Sequence, residues 1–270
     1  MKENVDANLY KYALRGGNAG TIQNRQSVGT SSSCPRMILL RDHKIQEPIG
    51  ERAKITFALG HINETLFADK LKEKGIAFEQ EKFVTEELAP NTVHKMAIDF
   101  YLPSDNIPFE LKACSSTNTY EKVFVQKHAK IENVIQLANY MITLECDEGK
   151  LRYTNYLYHK QMGKGKDVLW KAAPDHIVFD VSIDSVGEIL VNEVATEVNV
   201  DMILEFRYQM AQMLEKQQVY FARQINPDFA IHCNYCYFKE ACSGFEENCW
   251  GVEEFVGCAK KLVDRGLEIS

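Results

Sequence analysis

The sequence predicts an α/β or α+β fold, and three successive stretches carry that expectation. "ERAKITFALGHINETLFADKLKEKG", residues 51–75, spaces apolar residues mostly three or four apart and ends in Lys-Gly, as a helix of roughly five to six turns does. "IAFEQEKFV", "HKMAIDFYL" and "IPFELKA" follow, β-favouring runs separated by "TEELAPNT" and "PSDN", which read as a meander of strands. "EKVFVQKHAKIENVIQLANYMITLE", residues 121–145, returns to helical spacing, and "EGK" closes it. Helix, then strands, then helix excludes an all-α chain.

The remaining elements are read in chain order. Residues 15–33 are rich in Gly, Ser, Thr and Asn without periodicity, a loose segment before the fold, and "CPRMILLR" follows from Cys34. The apolar residues that give the first long helix its spacing are Ile55, Leu59, Ile62, Leu66 and Leu71. "LRYTNYLYH" and "HIVFDVSI" are further strands, joined by the basic loop "KQMGKGKD". "VNVDMILEFRYQMAQMLEKQQ" is a long amphipathic helix whose methionines read as core. No internal repeat is present.

Composition narrows the classes. The 270 residues hold ample core, with 45% hydrophobic and 26% charged residues, as in a globular protein. No apolar run approaches a membrane span, and the first residues have no apolar signal region, so a cytoplasmic chain with no membrane partner is expected. In that compartment clustered cysteines are metal ligands more often than disulfides. A net charge of −7, from 31 basic and 38 acidic residues, argues against a protein that coats nucleic acid electrostatically. It leaves room for an enzyme whose carboxylates gather around divalent metals.

The stretch richest in chemistry is "AIDFYLPSDNIPFELKA". Alternation along a strand puts Glu110 and Lys112 on one face with Leu111 turned to the core. Pairing through the "PSDN" turn brings Asp99 beside Glu110. Two carboxylates and an ammonium then converge, hard oxygen ligands for Mg²⁺ or Mn²⁺ beside a group that orients water or stabilises charge on a phosphate. An E-x-K triplet alone is common on solvated strands. Upstream, Gly60, His61 and Glu64 lie in the first long helix, where either His61 or Glu64 could lend a further ligand. Downstream, Gln136 and Tyr140 stand four apart on one helix face and can enter a single cleft.

The order Gly-x₃-(His/Glu), Asp, Glu-x-Lys, Gln-x₃-Tyr resembles the RecB-like branch of the PD-(D/E)xK nuclease superfamily. That resemblance implies a restriction-endonuclease-like α/β fold with a mixed central sheet flanked by helices. It implies Asp99 and Glu110 as metal ligands together with Glu64 or His61, Lys112 as the catalytic lysine, and Gln136 and Tyr140 near the substrate. Ile98 stands where the name of the motif has proline. The implied activity is Mg²⁺- or Mn²⁺-dependent hydrolysis of DNA, as an exonuclease on single-stranded or frayed ends in recombination, repair or CRISPR spacer acquisition. Other recombination or CRISPR adaptation proteins are the implied partners.

Eight cysteines remain to be placed. "HCNYCYFKEAC" sets Cys233, Cys236 and Cys242 in C-x₂-C-x₅-C spacing, and Cys34 opens "CPR" far upstream. This arrangement resembles the iron–sulfur subset of the family, which includes AddB-type subunits and CRISPR-associated exonucleases. The subset implies a 4Fe-4S cluster joining Cys34 to Cys233, Cys236 and Cys242, a staple across the nuclease core. Soft thiolates suit zinc as well. Cys249 is an alternative to Cys34, His232 is an alternative zinc ligand, and Cys114 and Cys146 read as ordinary thiols. The resemblance covers residues 31–245 and leaves a flexible segment 1–30 and a tail 246–270 outside it. Two other readings remain: a non-catalytic module with a degenerate nuclease fold that binds DNA or a partner, and a zinc-binding DNA-interaction protein in which the E-x-K is accidental.

Overall fold

The computed structural model describes residues 26–27, 34–48, 50–90, 92–156, 176–216, 236–248 and 251–267. The chain forms two compact units. Residues 51–82 and 97–197 belong to the first, and residues 22–50, 83–96 and 198–270 to the second. Among the described residues no helix is long and apolar enough to cross a membrane.

Elements appear in the order α1 (Pro35–Asp42), α2 (Glu51–Glu73), β2 (Glu79–Ala89), β3 (Thr92–Leu102) and β4 (Ile107–Cys114), after a two-residue strand β1 (Gln26–Ser27). A short helix α3 (Thr117–Tyr120) runs into a π-helical turn (Glu121–Val125), then come α4 (Ile131–Leu144), β5 (Glu148–Asn155), β6 (His176–Ile183), β7 (Glu188–Val191) and β8 (Val194–Asn199). The chain closes with α5 (Val200–Lys216), α6 (Lys239–Asn248) and α7 (Val252–Leu267). Mixed α/β architecture is therefore observed.

In the first unit β4 is central. It pairs antiparallel with β3, Phe100 opposite Phe109, and parallel with β5, Glu110 opposite Leu151 and Lys112 opposite Tyr153. β5 pairs antiparallel with β6, and β6 with β7. Each sheet face is covered by a helix. On one, Phe67, Ala68 and Leu71 of α2 meet Phe100, Leu102 and Leu111, with Phe78 and Phe109 packed alongside. The Phe67 and Phe100 rings meet edge to face, their centroids 5.0 Å apart. On the other, α4 lies on β4 and β5. Gly149 permits that approach, because a Cβ there would stand 2.9 Å from Met141 Sδ and 3.1 Å from Leu137 Cδ1.

α2 is the helix the spacing predicts, but not all of its apolar residues turn inward. Ile55 (62% exposed), Ile62 and Leu66 (51% exposed) face outward, while Ala58, Asn63, Phe67, Ala68 and Leu71 are buried. The helix is apolar on more than one side, and the sheet takes the side carrying Phe67. Other boundaries moved too. β2 runs through Thr85–Ala89, where a connection was expected, so the turn contracts to the residues around Pro90. The expected helix over 121–145 divides, since Lys127 takes a left-handed backbone (φ +60°) between the π-helical turn and α4. "EGK" starts β5 rather than closing a helix, because Glu145, left-handed at φ +53°, already caps α4. β7 and β8 form a hairpin. Its signal lay in Asn192 and Glu193, both with positive φ, as two-residue hairpin turns require. "KQMGKGKD" lies outside the described residues.

The second unit holds α1, β1, the start of β3, and α5 to α7. Arg207 of α5 is fully buried and donates to Glu86 Oε2 at 2.6 Å. Met210 and Met213 are core, as expected. α6 and α7 come next, α7 wholly in the C-terminal tail beyond the family resemblance. Phe238, Ala241, Phe255 and Ala259 are buried there, and the Tyr237 hydroxyl donates to the Leu262 carbonyl at 2.7 Å.

Candidate active site

Strand register assembles the first two groups. The β3–β4 ladder ends at Phe100 and Phe109, and the same register carried one residue further sets Asp99 opposite Glu110. There Asp99 Oδ2 accepts the backbone N–H of Leu111 at 2.7 Å, taking a place a strand carbonyl would otherwise fill. Leu111 points toward α2, so Asp99, Glu110 and Lys112 share the face covered by α4.

Around them runs one chain of hydrogen bonds. Lys112 Nζ donates to Glu110 Oε1, and also to Gln136 Oε1 at 3.0 Å. Gln136 Nε2 donates to the Tyr140 hydroxyl at 2.7 Å. The i, i+4 spacing on α4 thus delivers amide and phenol to the lysine. Tyr153, which the sequence reading passed over, positions that helix from below. Its hydroxyl accepts Asn133 Nδ2 at 2.7 Å and the Lys130 backbone N–H at 3.2 Å at the start of α4. Tyr153 is also Lys112's register partner in β5.

Electrostatics mark the same place. Burial pushes the Asp99 carboxyl well above its usual range, the Glu110 carboxylate pushes it further, and Lys112 only partly opposes them. For Lys112, burial alone would lower the pKa, but the carboxylates of Glu110 and Asp99 hold it above the usual lysine value, so the side chain is an ammonium. Tyr140 is pushed well up by burial and then by Glu110 and Asp99, and it stays a neutral phenol. Glu64 on α2 is also raised, by burial first, with Glu81 and Glu110 adding to it against the pull of His61. His61 Nδ1 stands 3.6 Å from Glu64 Oε2. The helix residue that shares the field of the two strand carboxylates is therefore Glu64, and His61 addresses it from one turn away.

Glu110 shows an unmet demand. It is 1% exposed, and its Oε2 is buried without a hydrogen-bond partner among the described residues. A buried carboxylate oxygen in that state costs free energy until a donor or a cation meets it. Hard oxygen donors of like charge, one of them orphaned, fit a divalent cation of the Mg²⁺ or Mn²⁺ kind. Among the described residues no three His, Cys, Asp or Glu side chains already stand in a metal-holding group.

The cysteines divide by unit. Cys114 and Cys146 are buried in the first. Cys34, which precedes Pro35 at the start of α1, Cys236 just before α6, Cys242 within α6 and Cys258 within α7 are half-buried in the second. Cys233, Cys249 and His232 lie outside the described residues.

No protein-family model matches the sequence, and no curated protein matches it. Solved structures do resemble it. The crystal structure of SSO0001 aligns over 88% of this chain and 95% of its own with a TM-score of 0.51 at 16% identity, a likeness of fold. The alkaline exonuclease LHK-Exo of Laribacter hongkongensis aligns over 72% of this chain and 88% of its own at 11% identity, with a TM-score of 0.46. The same exonuclease in complex with dAMP gives 0.46 at 12% identity, over 68% and 78%. At TM-scores below 0.5 the latter two are too loose to carry a functional argument.

Proposed function

We propose that the chain is a metal-dependent deoxyribonuclease that hydrolyses phosphodiester bonds. One observation carries this reading: Asp99, Glu110, Lys112, Gln136 and Tyr140 meet at one place on one sheet face, with a buried carboxylate oxygen left for a cation. Asp99 and Glu110, with Glu64, would hold Mg²⁺ or Mn²⁺, which when bound supplies an activated water and charge neutralisation at the phosphate. Lys112, held as an ammonium, orients the attacking water through its N–H donors and offsets negative charge growing on the phosphate oxygens. Gln136 keeps Lys112 aimed, and Tyr140 keeps Gln136 from rotating away. The motif order and its RecB-like resemblance support exonuclease action on single-stranded or frayed DNA ends, in recombination, repair or CRISPR spacer acquisition.

Glu64→Gln should then cost activity on the order of 10²-fold, and His61→Ala about 10-fold, because His61 acts through Glu64. Initial rates on end-labelled DNA at saturating Mn²⁺ measure both, and the opposite ranking makes His61 the ligand.

We also propose the 4Fe-4S staple of Cys34, Cys233, Cys236 and Cys242. Membership of Cys34, Cys236 and Cys242 in the same compact unit supports it, as does thiolate softness. Cross-linking residues about 200 apart removes much unfolded-state entropy in the chain model. Cys34→Ala should lose both iron and solubility on anaerobic purification. Unchanged iron content transfers the ligand role to Cys249, and a colourless, zinc-containing wild type removes the cluster.

A further inference from the structure

On the sheet face turned away from Lys112, the first unit buries a second polar group. Arg152 of β5 pairs in register with Leu111, so it projects with Leu111 toward α2. It is 6% exposed, and its guanidinium lies 4.8 Å from the centroid of the Phe67 ring. The ring face attracts the cation but offers no acceptor. Among the described residues Nε is buried without a hydrogen-bond partner, and no carboxylate is among the groups acting on it. Burial lowers its pKa, and only the Tyr156 phenol opposes that.

On this side of the sheet three more polar atoms are buried without hydrogen-bond partners among the described residues. Thr154 Oγ1 is two residues along the same face of β5, and Tyr156 Oη two residues further. Asn63 Nδ2 belongs to a residue 3% exposed, one helical turn before Phe67 on the side of α2 that meets the sheet. Buried donors rarely go unmatched, and a buried cation almost never does. Where an arginine only braces this fold, the chain supplies its counter-ion, as Glu86 does for Arg207. At Arg152 it supplies donors instead.

We propose that Arg152, Thr154, Tyr156 and Asn63 form a phosphate-binding site distinct from the carboxylate site on the opposite face. A forked guanidinium, two hydroxyls and an amide N–H₂ are the donor set for a group with several anionic acceptor oxygens. The guanidinium repels a metal ion, and the orphaned donors disfavour an apolar ligand. Asn63 directly precedes Glu64 in α2, so a bound phosphate ties β5 to the helix that carries Glu64. The proposal does not depend on the nuclease reading.

The test titrates the full chain with sodium phosphate against sodium chloride at constant ionic strength, following thermal stability and heat of binding. Phosphate should raise the melting temperature saturably. Thr154→Val and Tyr156→Phe each remove one hydroxyl and keep its shape. Without phosphate they should be at least as stable as wild type, since an unmatched buried hydroxyl is gone, and each should weaken phosphate binding about 10-fold. Competition by one oligonucleotide with a 5′-phosphate, but not with a 5′-hydroxyl, identifies a nucleic-acid end as the source of the phosphate. Displacement by neither, with phosphate itself still bound, identifies a free phosphate. No saturable effect in wild type, or one that survives unchanged in both variants, overturns the site.

Discussion

Replacing Lys112 by alanine is expected to lower divalent-metal-dependent DNA hydrolysis about 10²–10⁴-fold while the fold persists. Lys112 is the sole cation hydrogen-bonded to the buried Glu110 carboxylate among the described residues, and it reaches Gln136 from the same nitrogen. Its loss removes the charge that would face the scissile phosphate. It also leaves Glu110 buried without its partner, so the metal-free variant should be less stable than wild type. Saturating Mg²⁺ should restore most of that stability by neutralising Glu110, but should not restore activity. The separation is the informative part. Comparing melting curves and initial rates with and without Mg²⁺ distinguishes a chemical role from a structural one. Full retained activity would refute the catalytic assignment.

Asp99→Asn and Glu110→Gln should have the second largest effect, on the order of 10²–10³-fold in rate for each carboxylate. Both substitutions keep shape, and the amide introduced by Asp99→Asn retains an oxygen for the Leu111 N–H. For Asp99→Asn the stability change should have the opposite sign to that of Lys112→Ala. Asp99 has its folded pKa raised by burial and by Glu110. Stability from that group is therefore fully present below the unfolded carboxylate pKa and is lost as pH rises through the folded value. Metal-free wild type should be more stable in mild acid than at pH 8, and Asp99→Asn should flatten that dependence and raise the neutral-pH melting temperature. For a chain of this size each kcal/mol relieved appears as roughly 2–4 °C. Divalent cation should stabilise wild type and leave Asp99→Asn nearly unmoved. Thermal melts across pH, with and without Mn²⁺, read all of this. An acid-independent wild type would contradict the electrostatic account.

Several site features were legible because local periodicity determines them. Alternation put Glu110 and Lys112 on one face, the four-residue "PSDN" connection made Asp99 and Glu110 neighbours, and the i, i+4 interval aligned Gln136 with Tyr140. Illegible features depended on tertiary context. α2 carries apolar residues on more than one side, so only the sheet could choose Phe67 over Ile62. The break around Lys127 rests on one left-handed residue with no glycine to announce it. Tyr153 looked like one more aromatic of a strand, and only the approach of Asn133 reveals it as the post on which α4 is set. Arg152 is the extreme case. Arginine in a strand reads as exposed by default, and its burial without a counter-ion among the described residues appears only once α2 is laid over β5.

The central claim is that Asp99, Glu110 and Lys112 form a metal-dependent site for phosphodiester hydrolysis. End-labelled single- and double-stranded DNA, incubated with purified full chain across a titration of Mg²⁺ and Mn²⁺, tests it most directly. The account predicts degradation that begins at the ends, rises saturably with metal, stops with chelator, and is absent from Lys112→Ala. No hydrolysis of either substrate at any metal concentration by folded wild type, or hydrolysis indifferent to chelator, would contradict it.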